Sequence, residues 1–224
     1  MSRFSDAITA IKQGLGDRLC IMGHHYQHDD VVRHCDVTGD SLELARRIEG
    51  IDAEHIVFCG VYFMAESACL LARPGQRVFL PDHEADCAMA RMARAKDVEK
   101  VLEKLTAAGR RVVPLAYVNS SLAVKAVVGR FGGAVCTSSN AKVMREWALA
   151  QGDCVLFLPD RNLGRNTARV LGIPAEEQVL LTPAFDDLDS EQVLGARLLL
   201  WPGCCPIHES LMKTDMVDAF HTHF

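Results

Sequence analysis

Short apolar runs alternate along the chain with longer stretches in which apolar residues recur every three or four positions. The apolar runs predict buried strands at 18–22, 55–59, 77–80, 111–116, 133–136, 154–158 and 198–201. The amphipathic stretches predict helices at 5–15, 42–47, 63–71, 96–108, 122–128, 141–150 and 213–221. Because strands and helices alternate, the pattern predicts an α/β fold with short parallel sheets.

Part of this pattern repeats. Residues 78–82 (Val-Phe-Leu-Pro-Asp) match 156–160 (Leu-Phe-Leu-Pro-Asp), and Phe58-Cys59 matches Val135-Cys136 at a nearly equal offset. The repeat predicts pseudo-symmetric αβα units of three layers: a first unit at 1–95, a second at 96–175, and the start of an incomplete third at 176–224. In this interpretation 198–201 is the first strand of the third unit. The alternative is a shortened segment that extends the second unit.

Composition excludes some classes of function. The chain has 224 residues, 49% of them hydrophobic, and 24 Lys and Arg against 29 Asp and Glu give a net charge of −5. This balance, with no basic run, argues against a nucleic-acid partner. No apolar run is long enough to cross a bilayer, and the first residues lack the apolar region of a signal peptide. We therefore expect a cytoplasmic protein without a membrane partner.

The nine cysteines are odd in number, contain no Cys-x-x-Cys pair and stand in a chain without an export signal, so we expect no disulfides. Four of them lie in strand-like runs and are predicted to be small buried hydrophobic residues: Cys20, Cys59, Cys136 and Cys154. The candidates for chemistry are those that follow strands, above all in the run Trp201-Pro-Gly-Cys-Cys-Pro-Ile-His208.

Other polar residues also follow predicted strands. His24 and Tyr26 come after one strand, and the segment from Tyr117 to Ser121 holds the same place in the second unit. Tyr117 and Asn119, two positions apart, are expected to face the same side. Ser41 and Ser138 stand at predicted helix starts, where a hydroxyl beside free backbone N–H groups makes either an anion site or a plain N-cap.

Eight motifs in a fixed order resemble those of the quinolinate synthase family, and together they cover the chain from Ile21 onward. They are His24-His-Tyr-Gln27; Gly39-Asp-Ser-Leu42; Phe63-Met-Ala-Glu66; Pro81-Asp82 with Ala85-Asp-Cys-Ala-Met-Ala90; Tyr117-Val-Asn-Ser120; Cys136-Thr-Ser-Ser-Asn-Ala141; Phe157-Leu-Pro-Asp160 with Asn162-Leu-Gly164; and Trp201-Pro-Gly203 with Cys205 and His208.

The resemblance implies three αβα units around one central site, each supplying one cysteine to a [4Fe–4S] cluster. Two of the three cysteines match here, Cys87 and Cys205, whereas Cys204 sits at a variable position. The third belongs to the C-terminal part of the family, which has no counterpart in this chain. Three thiolates leave one iron open to act as a Lewis acid.

The resemblance also implies an activity: condensation of iminosuccinate with dihydroxyacetone phosphate to quinolinate, in NAD biosynthesis. It implies a functional link to an enzyme that oxidises L-aspartate. The roles carried over are catalytic for Tyr26 and His208 and substrate-binding for the remaining matched positions, which are His24, Ser41, Tyr117, Val118, Asn119 and Ser138.

Two other functions compete with this one. The first is a zinc-dependent lyase or aldolase that uses Cys205 and His208, although no third ligand stands nearby in the sequence. The second is a catalytically incomplete fragment that binds phosphate or carboxylate ligands without turnover. The closing His221-Thr-His223 looks like a metal motif, and we interpret it as incidental.

Overall fold

A computed structural model describes residues 3–210, which divide between Cys87 and Ala88 into two compact units. Each unit contains one parallel sheet with helices packed on it, which confirms the predicted α/β class with short parallel sheets. The helix predicted at 213–221, with His221 and His223, lies outside the described residues.

The first unit has four strands in the order β2-β1-β3-β4, every pair parallel. The strands are β1 (Leu19–His24), β2 (Val37–Gly39), β3 (His55–Cys59) and β4 (Arg77–Phe79), and the helices are α1 (Arg3–Leu15), α2 (Asp29–Val32), α3 (Ser41–Arg47) and α4 (Tyr62–Leu71).

The two faces of this sheet are covered unequally. Ile56 and Phe58 of β3 are fully buried, together with Leu44 of α3 and Phe63 of α4. The alternate residues of β3 point to the other face, since side chains on a strand alternate between its two sides. There they line a cavity of about 730 Å³, which is also lined by residues of α1, α2 and β4.

The second unit has five strands in the order β6-β5-β7-β9-β8, again all parallel. The strands are β5 (Val112–Tyr117), β6 (Ala134–Cys136), β7 (Cys154–Leu158), β8 (Gln178–Leu180) and β9 (Leu198–Leu200), and the helices are α5 (Ala95–Ala107), α6 (Leu122–Arg130), α7 (Ala141–Gln151), α8 (Arg161–Val170), α9 (Glu191–Gly195) and α10 (Pro206–Ser210).

Both faces of the second sheet are buried. Leu156 and Leu158 of β7 pack on the side of α5 and α6, whereas Val155 and Phe157 pack on the side of α7 and α8. Continuous burial along β7 follows from a strand that is covered on both faces, and it explains the unbroken apolar run in the sequence. The unit is a three-layer αβα sandwich, as the alternating pattern predicts.

Strand β9 corrects the predicted place of 198–201. The sequence pattern makes it the first strand of a third unit, but β9 pairs in parallel with β7 and with β8 inside the second sheet. The described strands after residue 175 therefore extend the second unit, as in the alternative interpretation. Strand pairing is set by long-range packing and cannot be deduced from an apolar run alone.

The internal repeat is real, but its register differs from the sequence match. The central strands β1 and β5 correspond, as predicted, and β7 occupies the place of β3. The place of β4 is held by β9 and that of β2 by β6. The match of 78–82 with 156–160 and that of Phe58-Cys59 with Val135-Cys136 are therefore both wrong. The three-residue strand β2 is the physical reason, because it adds a strand that the apolar pattern does not show.

Candidate functional site

The candidate residues lie where strands end, and all strands of a sheet are parallel, so each unit has one edge that collects them. In the first unit β1 ends at His24. The backbone N–H of His25 donates to the carbonyl oxygen of Gly39 at 3.1 Å, which joins the loop after β1 to the end of β2. The rings of His24, His25 and Tyr26 form a cluster with centroid distances of 4.4–4.7 Å.

His24 is poised as a neutral hydrogen-bond donor. Its Nδ1 accepts from the backbone N–H of Tyr26 at 3.2 Å, so the neutral ring carries its proton on Nε2. Burial, followed by the electrostatic interaction with His25, lowers the pKa of His24 below its ordinary 6.5, although Asp40 opposes this. Tyr26 is 85% exposed, so its hydroxyl is open to a ligand.

Ser41 begins α3, but it does not cap the helix. The carboxylate of Asp40 accepts from the backbone N–H groups of Leu42 at 2.9 Å and Glu43 at 2.8 Å. These two N–H groups are therefore not free, which corrects the prediction for this helix start. The negative charge of Asp40 also disfavours a second anion there, so any contribution of Ser41 comes from its half-buried hydroxyl.

Cys87 lies on the loop that follows β4. Its backbone N–H donates to Oδ1 of Asp86 at 2.7 Å, and the N–H of Tyr62 holds the same loop by donating to the carbonyl oxygen of Ala85 at 2.8 Å. The thiol is half-buried. The loop is thus fixed to the start of α4, and it leaves the sulfur partly accessible.

In the second unit, Tyr117 ends β5 and Val118 and Asn119 follow it, and all three are half-buried. The N–H of Val118 donates to the carbonyl oxygen of Cys136 at 2.8 Å, which brings this loop to the end of β6. The hydroxyl of the fully buried Ser120 donates to the carbonyl oxygen of Tyr117 at 2.9 Å. The structure therefore places the Tyr-x-Asn pair next to the loop that carries Ser138.

Ser138 is exposed on the loop between β6 and α7. The loop is held by Asn140, whose Oδ1 accepts from the backbone N–H of Thr137 at 2.7 Å and from its hydroxyl at 3.2 Å. Because Asn140 is used in this way, α7 begins without a hydrogen bond from a capping side chain. The start of α7, unlike that of α3, therefore has no capping carboxylate, as the predicted anion site requires.

Cys204 and Cys205 are half-buried on the loop after β9. Gly203 pairs with Asp160 in an isolated parallel bridge, and its carbonyl oxygen accepts from the N–H of Arg161 at 2.8 Å. Asp160 is itself buried and caps α8 by accepting from the N–H of Asn162 at 2.9 Å. The start of α8 therefore fixes the loop that presents both cysteines.

His208 lies in α10, directly after this loop, and the side chain of His208 is outside what the structure describes. The helix is tied back by Glu209, whose carboxylate lies 3.2 Å from Arg161 and accepts from Asn162 at 2.6 Å. Only the backbone position of the predicted catalytic histidine is therefore established.

The two candidate ligand cysteines hold equivalent positions in their units. Cys87 follows β4 and Cys205 follows β9, and these strands occupy the same place in the two sheets. Neither cysteine is in a disulfide. Among the side chains that the structure describes, which do not include that of His208, no three of His, Cys, Asp or Glu lie close enough together to hold a metal ion.

One buried residue of the second unit is absent from the sequence-based prediction. Arg145 of α7 is fully buried, and its pKa is lowered to about 10 by that burial. A signal exists in the sequence, because Arg145 lies four residues after Ala141 and three before Ala148, on the apolar face of the helix. A charged residue is rarely fully buried, and its place on an apolar helix face is the signal that marks Arg145.

Comparison with known proteins identifies the family. The family described as quinolinate synthetase A protein matches residues 6–223. The chain is 49% identical over 215 residues to a quinolinate synthase of Bacillus pumilus (95% of this chain, 58% of the relative). It is 50% identical over 221 residues to one of Nocardioides (93% and 56%) and 46% identical over 214 residues to one of Bacillus subtilis (94% and 58%).

The chain thus spans little more than half the length of these curated relatives. No described helix is long and apolar enough to cross a membrane.

Proposed function

We propose, since the chain belongs to the quinolinate synthetase A family, that it serves the condensation of iminosuccinate with dihydroxyacetone phosphate to quinolinate in NAD biosynthesis. An enzyme that oxidises L-aspartate would supply the iminosuccinate. The observation that carries the proposal, besides the family match, is the equivalent placement of Cys87 and Cys205 after corresponding strands of two αβα units.

These two residues suit a [4Fe–4S] cluster. Both are half-buried thiols outside disulfides, on loops that backbone hydrogen bonds hold in place. When bound, the cluster would supply a Lewis-acidic iron for a substrate oxygen. Cys87 and Cys205 would supply two of the cluster ligands, and the family resemblance assigns the third to the C-terminal part of the family.

The residues of the first unit suit proton handling. His24, neutral and with its proton on Nε2, can donate a hydrogen bond to a substrate oxygen without adding charge. The hydroxyl of Tyr26 is exposed beside that ring and can pass a proton during isomerisation and condensation.

The residues of the second unit suit the binding of anionic groups. Tyr117 and Asn119 offer a hydroxyl and an amide beside the end of β6, and the N–H of Val118 fixes that loop to Cys136. Ser138 offers a hydroxyl on the loop before α7, and no side chain caps that helix. Both proposed substrates carry carboxylate or phosphate groups, so such donors are what the reaction requires. His208 stays a proposed catalytic residue by resemblance.

A second candidate function is anion binding without turnover. It is favoured by the loop before α7, where Ser138 is exposed and no side chain caps the helix.

Anaerobic reconstitution with iron and sulfide tests the proposal. About four irons per chain with a thiolate-to-iron absorption band, together with quinolinate formed from the two substrates, would support it. A chain that takes up little iron and forms no quinolinate, yet binds dihydroxyacetone phosphate in a calorimetric titration, has the second function instead.

A further inference from the structure

The guanidinium of Arg145 is buried without a negative partner. One of its terminal nitrogens donates to the carbonyl oxygen of Gly164 at 2.6 Å, and the group lies 4.8 Å from the centre of the Phe157 ring. Its Nε and second terminal nitrogen have no hydrogen-bond partner among residues 3–210. Burying a charge in this way is costly, and such groups are usually paired.

The groups around this cation carry no charge of their own. Gly164 presents a carbonyl from α8, Phe157 a ring from β7, and Cys136 a thiol from β6 that interacts electrostatically with the guanidinium. Burial raises the pKa of Cys136 to about 12, so this thiol is protonated at neutral pH. The positive charge of Arg145 is therefore not neutralised by these neighbours.

Arg145 lies near the start of α7, a helix start that differs from those of α3 and α8. Arg145 lies just after the first turn of α7, and Cys136 directly precedes the loop that carries Ser138. The starts of α3 and α8 are capped by Asp40 and Asp160, whereas α7 has no capping side chain. The helix that carries the buried cation therefore begins without a carboxylate cap, and the thiol that interacts with this cation belongs to the residue just before the loop.

We infer that Arg145 is a positioning residue whose buried charge makes the loop at Thr137–Asn140 a site for a small oxyanion, bound at Ser138 and the first N–H groups of α7. The identity of the anion, a phosphate or a carboxylate of the substrates, rests on the proposed function. The charge acts through the loop, and it also fixes α7 to α8 through Gly164. A low-polarity surrounding lets such a charge act over several ångströms.

A thiol placed at the loop measures this charge directly and without turnover. Ser138→Cys is combined with Arg145→Met or with Arg145→Lys, and the pH dependence of iodoacetamide alkylation is followed at that one peptide by mass spectrometry. The thiol pKa is expected to be about 1 higher with Arg145→Met, a tenfold loss of thiolate, and to return with Arg145→Lys. Ser190→Cys is the matched control, because α9 packs on the opposite face of the sheet.

An unchanged thiol pKa with Arg145→Met in a folded chain overturns the inference, as does an Arg145→Lys variant that behaves like Arg145→Met. Titration with inorganic phosphate and with succinate then tells the two oxyanions apart. The tighter of the two is expected to bind about tenfold more weakly to Arg145→Met. Parent and variant that bind alike, or a parent that binds neither anion, also overturn it. Failure to assemble a cluster leaves the thiol result standing and counts only against the proposed function.

Discussion

The indole N–H of Trp201 donates a hydrogen bond to the carbonyl oxygen of Met92 at 2.9 Å, although 109 positions separate the two residues. The same methionine accepts, through its sulfur, from the backbone N–H of Cys204 at 3.4 Å. Trp201 is 1% exposed and stands at the head of the loop that carries both cysteines. The loop is therefore fastened to the segment before α5 as well as to the start of α8.

Replacing this tryptophan is expected to loosen the loop. Trp201→Phe removes the donor and some buried volume and leaves the carbonyl oxygen of Met92 unsatisfied, so the free energy of unfolding should fall by about 2 kcal/mol. Urea denaturation measures it. Trp147→Phe is the control, because Trp147 is 38% exposed and its loss should change the free energy of unfolding little. Equal effects of the two variants would contradict the role given to Trp201.

Gly203 is expected to tolerate no side chain. A Cβ there would lie 2.6 Å from the carbonyl oxygen of Pro159 and 3.1 Å from Cβ of Met92, and the first of these is backbone that cannot turn away. Gly203→Ala should therefore cost about 1–3 kcal/mol of unfolding free energy and displace the cysteine loop. Gly195→Ala is the matched control, since a Cβ at Gly195 meets nothing within 4 Å. A Gly203→Ala variant as stable as the control would show that the loop adapts freely.

We expect Cys205 to be a cluster ligand and the adjacent Cys204 not to be one. Cys87→Ser and Cys205→Ser should each lose most of the iron that the chain takes up on anaerobic reconstitution, because a hydroxyl is a poor ligand for iron–sulfur clusters. Cys204→Ser should keep it, although Cys204 is as half-buried as its neighbour. Iron and sulfide analysis of the three variants decides the matter, and equal iron in all three would contradict the assignment.

The sequence pattern predicted most of the described strands but not their pairing. The prediction of β5 and β7 succeeded because each is an apolar run that is buried on both faces. The placement of β9 failed because the pattern of Leu198–Leu200 says that it is buried and does not say beside which strand. The strand β2 was missed because Val37-Thr38-Gly39 is too short to show a period.

The sequence predicted which loops carry the candidate site residues. It did not predict which side chains form the hydrogen bonds within those loops. Asp40 and Ser41 are both good capping residues, so the sequence could not say which one caps α3. Asn140 directly precedes α7, and its side chain holds the Thr137 backbone instead of capping the helix. Such choices depend on side-chain geometry over three or four residues, where several hydrogen-bond arrangements have similar free energies.

The lowered pKa of His24 predicts a loss of stability in acid. The unfolded chain takes up a proton near the ordinary pKa of 6.5, whereas the folded chain does so at lower pH. Stability should therefore fall as pH drops from above 6.5 towards the folded pKa, and no further below it. Urea denaturation at pH 7.5, 6.5 and 5.5 measures this fall.

Two variants test whether the loss of stability in acid comes from His24. His24→Gln should flatten the dependence, because the group that titrates is gone. His25→Gln should reduce it in part, because the charge of His25 contributes to the lowered pKa of His24. A fall in stability that is the same in the parent and in His24→Gln would assign it to other groups.

Gly23 and Cys35 form a pair in which one residue fills the space left by the other. Gly23 lies in β1 beside Cys59 of β3, and a methyl group on Gly23 would overlap the sulfur of Cys35. Gly23→Ala should therefore lower the free energy of unfolding by about 1–3 kcal/mol. Cys35→Ala alone should cost less, since it removes one half-buried sulfur.

The double variant tests the packing directly. With Cys35→Ala in place, the methyl group introduced by Gly23→Ala enters the space of the missing sulfur, so the two changes together should cost less than the sum of the single changes, by about 1 kcal/mol or more. Urea denaturation of the four chains gives this coupling. Gly14→Ala is the control, since a Cβ at Gly14 meets nothing within 4 Å and should be neutral or stabilising with either residue at 35. Strictly additive costs at Gly23 and Cys35 would mean that β1 moves to admit the methyl group, and that the thiol does not set its position.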